Sequence, residues 1–249
     1  MGYISADSVP FRYAIVVGAS SGIGAEIVRQ LAQSGCRVAA IARREDLLLK
    51  LKESNPERIL TVEHDVTNTD EIEGLFERIT GELGGLDLFI YAAGIMPEVG
   101  EREYSTAKDL AMLQVNCSGA VAWLNCAAAR FDNVGHGTLV GIGSVAGDRG
   151  RAGQPVYNAS KAFLATYMEA LRNRLAKRNV KVVTIKPGPV ATPLIAHLHF
   201  ANPMSASRAA ALTLEKSRRG GEHYLKFSHW LIFGVIRNIP SFLFRRLKI

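Results

Sequence analysis

Short apolar runs alternate with longer stretches whose apolar residues recur every three to four positions. The first run, 12–17, ends at Gly18 and leads into a helical stretch, 24–34, closed by Gly35. A second run, 37–42, precedes a polar helix at 45–53 that Asn55-Pro56 stops. A third, 59–64, gives way at Asp65 to a helix that continues to Leu83. Runs at 86–92, 137–142 and 180–186 alternate with long helices at 105–131 and 155–178. Pro187-Gly188-Pro189 ends the sixth run, 192–205 shows neither period, and a helix at 206–218 precedes a last strand at 222–227. Short runs without polar alternation suit strands buried on both faces. The pattern predicts an α/β fold, a single doubly wound Rossmann-type domain with a seven-stranded parallel sheet and helices on both faces. Right-handed crossovers then place a ligand at the carboxyl ends of the strands, where strand order reverses.

Beyond residue 227 the pattern changes, which divides the chain into a domain at 1–227 and an extension at 228–249. The extension is too apolar for a solvated tail, and Arg237, Arg245, Arg246 and Lys248 are interleaved. Pro240 predicts an amphipathic helix broken in two, with Trp230, Ile232, Phe233, Ile236, Phe242 and Phe244 to sequester. Three destinations stand open: packing over the cleft or the last strand, lying on an anionic membrane, or contacting another subunit.

Composition narrows the setting. The chain of 249 residues fits one large domain, and 48% hydrophobic content allows a sizeable core. The net charge of +7 is scattered apart from two late clusters, so no nucleic-acid groove is indicated. Cys36, Cys117 and Cys126 lack paired or metal-ligand spacing and read as reduced residues of a reducing compartment. The first ten residues lack the basic and apolar regions of a signal peptide. No apolar run approaches the ~18–20 residues that span a bilayer. The expected location is cytoplasmic, with a membrane surface as the second setting. His197 and His199 have no third ligand at recognisable spacing, so no metal is expected.

The candidate chemistry begins at Gly18-Ala19-Ser20-Ser21-Gly22-Ile23-Gly24, between a strand and a helix. Such glycines permit a tight turn, backbone approach to a pyrophosphate and close helix packing, and the helix N-terminus supplies N–H donors. The second strand ends in Arg43-Arg44, where an Asp or Glu would read a ribose 2′-hydroxyl; guanidinium forks suit a 2′-phosphate instead. Asp65 could accept from an adenine amino group or serve as a plain turn residue. The small residues of Tyr91-Ala92-Ala93-Gly94 allow a ribose to lie against the backbone. Asn116 sits in a predicted helix against its propensity, which suggests a polar task. Tyr157 and Lys161 are four apart and share a helix face, thirteen and more residues after Ser144. An ammonium beside a phenol favours the phenolate, and a shift of about three units, or roughly 4 kcal/mol, would bring it near neutrality. No G-x-S-x-G elbow supports a serine hydrolase.

In order and spacing these residues resemble the short-chain dehydrogenase/reductase family, from about Phe11 to Thr192 with a weaker echo to Phe227. The resemblance implies a catalytic set of Asn116, Ser144, Tyr157 and Lys161. Tyr157 would exchange a proton with the substrate oxygen, Ser144 would position that oxygen, and Lys161 would lower the tyrosine pKa and hold the nicotinamide ribose. Asn116 would hold a water linking Lys161 to solvent. Cofactor contacts would fall on Gly18, Ser20, Ser21, Gly22, Ile23, Gly24, Arg43, Arg44, Asp65, Val66, Ala92, Ala93 and Gly94, on Tyr157 and Lys161, and on Pro187, Gly188, Val190 and Thr192. Val17 replaces the family's usual Thr, and Tyr91-Ala92 replaces a usual Asn-Asn, so two polar groups that tie these loops are missing together. Ser21 stands where many NADP-preferring members carry Lys or Arg, so the expected preference for NADP(H) over NAD(H) rests on Arg43 and Arg44.

The expected activity is hydride transfer between nicotinamide and a carbonyl or secondary alcohol. The irregular, mostly non-polar segments at 96–103, 145–156 and 192–205 would set specificity and suggest an apolar or amphipathic substrate without charge. One alternative is a membrane-peripheral reductase of a lipid or lipid-linked sugar intermediate. Another is a non-catalytic NADP-binding regulator, which the intact Ser144, Tyr157 and Lys161 argue against. The family pairs the helices carrying Asn116 and Tyr157 across a two-fold axis, which implies a homodimer or homotetramer.

Overall fold

The computed structural model describes residues 11–100 and 102–247. Among them are the strands β1 (Tyr13–Val17), β2 (Arg37–Ala42), β3 (Ile59–Glu63), β4 (Leu88–Tyr91), β5 (His136–Ile142), β6 (Asn179–Lys186), β7 (Val190–Ala191), β8 (Met204–Ser205) and β9 (Gly221–Tyr224). The main sheet is wholly parallel in the order β3-β2-β1-β4-β5-β6-β9. Strand order reverses between β1 and β4, which opens a crevice at their carboxyl ends.

The strands read as unbroken apolar runs because both faces are covered. Helices α1 (Gly22–Gln33), α2 (Glu45–Glu53), α3 (Ile72–Leu83), α4 (Thr106–Leu113), α5 (Gly119–Val134), α6 (Pro155–Arg174) and α7 (Ala206–Lys216) supply the layers. Ala14 and Val16 of β1 pack with Ile27 and Leu31 of α1, Leu48 of α2 and Leu214 of α7. Ile15 and Val17 face the opposite core, with Phe76 of α3, Trp123 and Phe131 of α5, and Met168 of α6.

Several elements differ from the sequence expectation. The stretch 105–131 is not one helix: α4 ends at Leu113, a π turn spans Gln114–Ser118, and α5 begins at Gly119. The buried Tyr91 hydroxyl donates to the Val115 carbonyl at 2.6 Å, inside that turn. The widened turn thus coincides with a tertiary bond that no local pattern encodes. Helix α6 stops at Arg174 rather than 178. The segment at 192–205 is not wholly irregular, because β7 and β8 pair in parallel, Val190 beside Met204. The last strand closes early, at Tyr224, and the chain turns into a new helix at Phe227.

The tail forms α8 (Phe227–Asn238) and α9 (Ser241–Phe244), separated at Pro240. It docks on the domain by a narrow stripe. Ile236 and Phe244 are buried, but Trp230, Ile232 and Phe242 are 55%, 51% and 56% exposed, so the expected sequestration of all six apolar side chains is corrected. The grip is largely polar. Arg237 Nε donates to Asp148 at 2.9 Å and Nη2 to Glu222 at 2.8 Å. Lys186 Nζ meets the same two carboxylates at 2.6 and 2.8 Å. Arg149 donates to the Arg237 carbonyl at 3.0 Å and to Ser241 Oγ at 3.1 Å, with its guanidinium 4.8 Å from the Phe244 ring centre. Lys248 and the first ten residues lie outside the described residues.

Candidate active site

The first wall is the glycine loop. Gly18 has φ +89°, and a side chain there would strike the backbone of Ala92 and Ala93, so the loop after β1 lies directly on the loop after β4. This close contact joins the two loops where the family's polar groups are missing. Ala92 N–H also donates to the Val17 carbonyl at 2.8 Å. Gly22, at φ +59°, starts α1, and the first turn carries no acidic residue and no side-chain cap from Ser21. Such a helix start presents N–H groups and positive dipole to an anion.

The two arginines after β2 diverge. Arg44 folds over the glycine loop, donating to Ser20 Oγ at 2.7 Å and Ser21 Oγ at 2.8 Å. Arg43 turns towards Asp65, 3.6 Å away, and is mostly exposed. Asp65 Oδ1 accepts from the N–H and the hydroxyl of Thr67, each at 2.9 Å. Burial, the largest influence, would raise the Asp65 carboxyl, but the bonds from Thr67 and Arg43 together hold it below its usual range. Asp65 thus forms a turn and anchors Arg43, and its neighbour Val66 lines the cleft.

Asn116 lies in the π turn and is 2% exposed. Its Oδ1 accepts from Ile95 N–H at 2.8 Å, and its Nδ2 donates to the Ile95 carbonyl at 3.0 Å and to Ser160 Oγ at 3.1 Å. The amide is therefore fully engaged by protein and ties the loop after β4 to α6.

Ser144 stands two residues after β5 and caps the short turn at Val145–Asp148, its Oγ accepting from Ala146 N–H at 3.0 Å. Tyr157 and Lys161 stand one turn apart near the start of α6, which opens on Pro155. Lys161 Nζ donates to the Ile142 carbonyl at 3.1 Å and sits 5.7 Å from the Tyr157 ring centre. The expectation that Lys161 brings the phenol towards neutrality is not met. Burial pushes Tyr157 up to about 12, against smaller downward effects of a Ser144 hydrogen bond and the Arg151 charge. Burial likewise pushes Lys161 down to about 8. One low-dielectric wall disfavours both charged forms. The phenol therefore carries its proton at neutral pH.

A single cleft of about 940 Å³ runs from Arg43 and Arg44 past the glycine loop to Ser144, Tyr157 and Lys161, and on to Pro187, Gly188, Val190 and Thr192. Every predicted site residue lines it except Asp65 and Asn116, which brace it from behind. An elongated dinucleotide fits this outline. The open helix start and the Arg44-Ser20 pair stand at one end, and the Gly22 backbone faces the Thr192 side chain, which an added Cβ would meet at 3.0 Å. Arg151 and Gln154, named in the sequence only as part of the specificity segment 145–156, line the cleft individually, and sequence reasoning missed others, among them His64 and, from α8, His229 and Phe233. The His229 ring lies against the Gly188 backbone. Nothing local in the sequence flags His229.

The sequence profile described as short chain dehydrogenase matches residues 12–201. An uncharacterized oxidoreductase of Myxococcus xanthus (strain DK1622) is 37% identical over 196 residues, 78% of this chain and 78% of its own. Carbonyl reductase family member 4 of Danio rerio is 34% identical over 211 residues, 84% of this chain and 85% of its own. A solved short-chain dehydrogenase of Burkholderia cenocepacia J2315, in complex with NADP, has the same fold, with a TM-score of 0.83 at 24% identity over 96% of this chain and 98% of that one.

Proposed function

The chain belongs to the short-chain dehydrogenase/reductase family and is an NAD(P)-dependent oxidoreductase; from that premise we propose that it reduces the carbonyl group of an apolar or amphipathic substrate with NADPH. The observation that carries this reading is the placing of Ser144, Tyr157 and Lys161 on one cleft with the glycine loop and the arginine pair. The names of two relatives point the same way, one a carbonyl reductase family member and one an NADP complex.

Gly18, Ser20, Ser21, Gly22, Ile23 and Gly24 would hold the pyrophosphate, Arg43 and Arg44 the 2′-phosphate, and Val66 and Ala92 to Gly94 the adenosine. Pro187, Gly188, Val190 and Thr192 would hold the nicotinamide. When bound, the cofactor supplies the hydride or takes it back. Ser144 steadies the substrate oxygen, and Tyr157 gives it a proton. Lys161, charged at neutral pH, favours the phenolate left behind. The enzyme pairs with a second copy through the stretch α4–α5 that carries Asn116 and through α6, and the outer face of the tail meets an anionic membrane surface.

A panel of ketones and aldehydes with NADPH and NADH tests the central reading. The expected result is NADPH-dependent reduction at least ~10-fold more efficient than with NADH, the order of one charge-assisted contact. Arg43→Asp should narrow that ratio, by removing a cation and adding an acceptor for a 2′-hydroxyl. Equal use of both cofactors by the unaltered protein overturns the NADP(H) preference; turnover of no carbonyl compound overturns the substrate class.

A further inference from the structure

We propose that the substrate is an oxo acid, or the corresponding hydroxy acid, whose carboxylate is bound by Arg151 inside the cleft that holds Tyr157. The inference rests on the carbonyl-reducing function proposed above and replaces the expectation of an uncharged substrate with one that carries a carboxylate.

Arg151 lines the cleft together with Ser144 and Tyr157. It is half-buried, its Nε is buried without any acceptor, and its one side-chain bond is a long one, from Nη2 to Asn158 Oδ1 at 3.3 Å. No carboxylate of the described residues pairs with it. Elsewhere the protein neutralises comparable cations: Lys186 and Arg237 share Asp148 and Glu222. A guanidinium that is withdrawn from water without a partner is costly, and an incoming carboxylate offsets that cost with a planar two-bond contact. Burial already disfavours the charged form of Arg151, and proximity to Tyr157 opposes this in part.

The position is built rather than incidental. Asn158, 2% exposed and next to Tyr157 in the chain, donates from Nδ2 to the Arg151 carbonyl at 3.3 Å and to the Gly153 carbonyl at 2.9 Å. The loop is thereby locked to the helix that carries the phenol. Gln154 has φ +56°, the left-handed region, and is the one non-glycine among the described residues with a positive φ. Strain of that kind persists where the surroundings enforce it, often at ligand sites. Its Oε1 is also buried without a partner, as is Nε2 of His197, another lining residue.

The planar guanidinium fork of Arg151 matches the two oxygens of a carboxylate, while Lys161, the other cation at this end of the cleft, is engaged by the Ile142 carbonyl beside Tyr157. Met96, Val145, Leu194, Ile195 and Phe233 line the same cleft, so the chain between carbonyl and carboxylate is apolar.

The test uses 3-, 4- and 5-oxooctanoate and their methyl esters with NADPH, and octanoate binding to the NADP⁺-loaded protein by calorimetry. The unaltered protein should favour at least one acid over its ester by ~10-fold or more in KM, the scale of a charge-assisted pair. Arg151→Gln should collapse that acid-to-ester ratio and weaken octanoate binding by a similar factor, while Arg151→Lys should restore part of both. Reduction of esters without any acid preference, or an equal loss on acid and ester in Arg151→Gln, overturns the inference and leaves the reductase reading standing. Octanoate binding that depends on Arg151 without reduction of any carbonyl supports the anion site and overturns the reductase reading.

Discussion

Tyr157 and Lys161 titrate in opposite directions for one reason. Burial raises the phenol to about 12 and lowers the ammonium to about 8, and both shifts favour the neutral forms. Reduction needs the phenol protonated and gains from a charged Lys161. The phenol condition holds throughout the neutral range, so the lysine sets the limit. As pH rises through about 8, Lys161 loses its proton and the nascent phenolate loses its cation. The kcat/KM for reduction should therefore be level below that pH and fall above it, read from initial rates at fixed NADPH. A profile flat to pH ~10 would remove Lys161 from this role. Tyr157→Phe should cost at least ~10²-fold in kcat with nucleotide binding retained by titration. These four catalytic candidates are legible in the sequence because their order and spacing survive without knowledge of neighbours. Tyr91 and Arg151 are not. Their roles come from a carbonyl 24 positions away and from the lack of a carboxylate partner, which only the assembled fold decides.

At the scale of elements, the tail helix α8 and the loop after Ser144 act as one unit. Asp148 and Arg149 follow directly in that loop, and each grips the tail. Through this grip His229 and Phe233 become part of the cleft wall. Burial, the largest influence on Glu222, would raise its carboxyl, but the bonds from Lys186 and Arg237 outweigh it and hold it below its usual value. A depressed carboxyl stabilises the folded contact above the ordinary Glu range, and that contribution is lost as pH falls through the depressed value. Arg237→Met should free α8 while Lys186 still serves Asp148. The expected result is faster limited proteolysis after Phe227 and a KM raised by roughly 3-fold or more, with kcat changed less, because the wall of the cleft moves and the proton donor does not. Unchanged proteolysis and KM would show that the apolar contacts of Ile236 and Phe244 suffice. The break at Pro240 could be read from the ring's missing N–H. The face that docks could not, since α8 is apolar nearly all round and a pair of acids distant in sequence selects the side.

For the whole molecule, the parallel sheet and its two helix layers follow from the alternation of apolar runs and helical periods, and strand ends shift by up to three residues where turns intervene. What this alternation leaves open is which apolar surfaces face another molecule. Two are exposed. On α4 and α6, Leu110, Leu113 and Phe163 are 54%, 37% and 42% exposed, and Phe163 stacks on Tyr167 with ring centres 6.1 Å apart. On the tail, Phe227, Trp230 and Val235 are 73%, 55% and 66% exposed, on a segment that also carries Arg245 and Arg246. The first surface is apolar and backed by long rigid helices, as a two-fold subunit contact requires. The second couples apolar side chains with cations, which suits an anionic bilayer surface. Sedimentation velocity at micromolar concentration should give a dimer, and Phe163→Glu a monomer, because the charge would be buried opposite its own copy. The tail should add vesicle binding: flotation with phosphatidylserine vesicles at low salt, falling sharply as ionic strength rises towards ~0.5 M and absent when the chain is cut after Phe227. A dimer that survives Phe163→Glu but dissociates on removal of the tail would reverse the assignment, making the tail the subunit contact, and a failure to float at low salt would remove the membrane from the list of its partners.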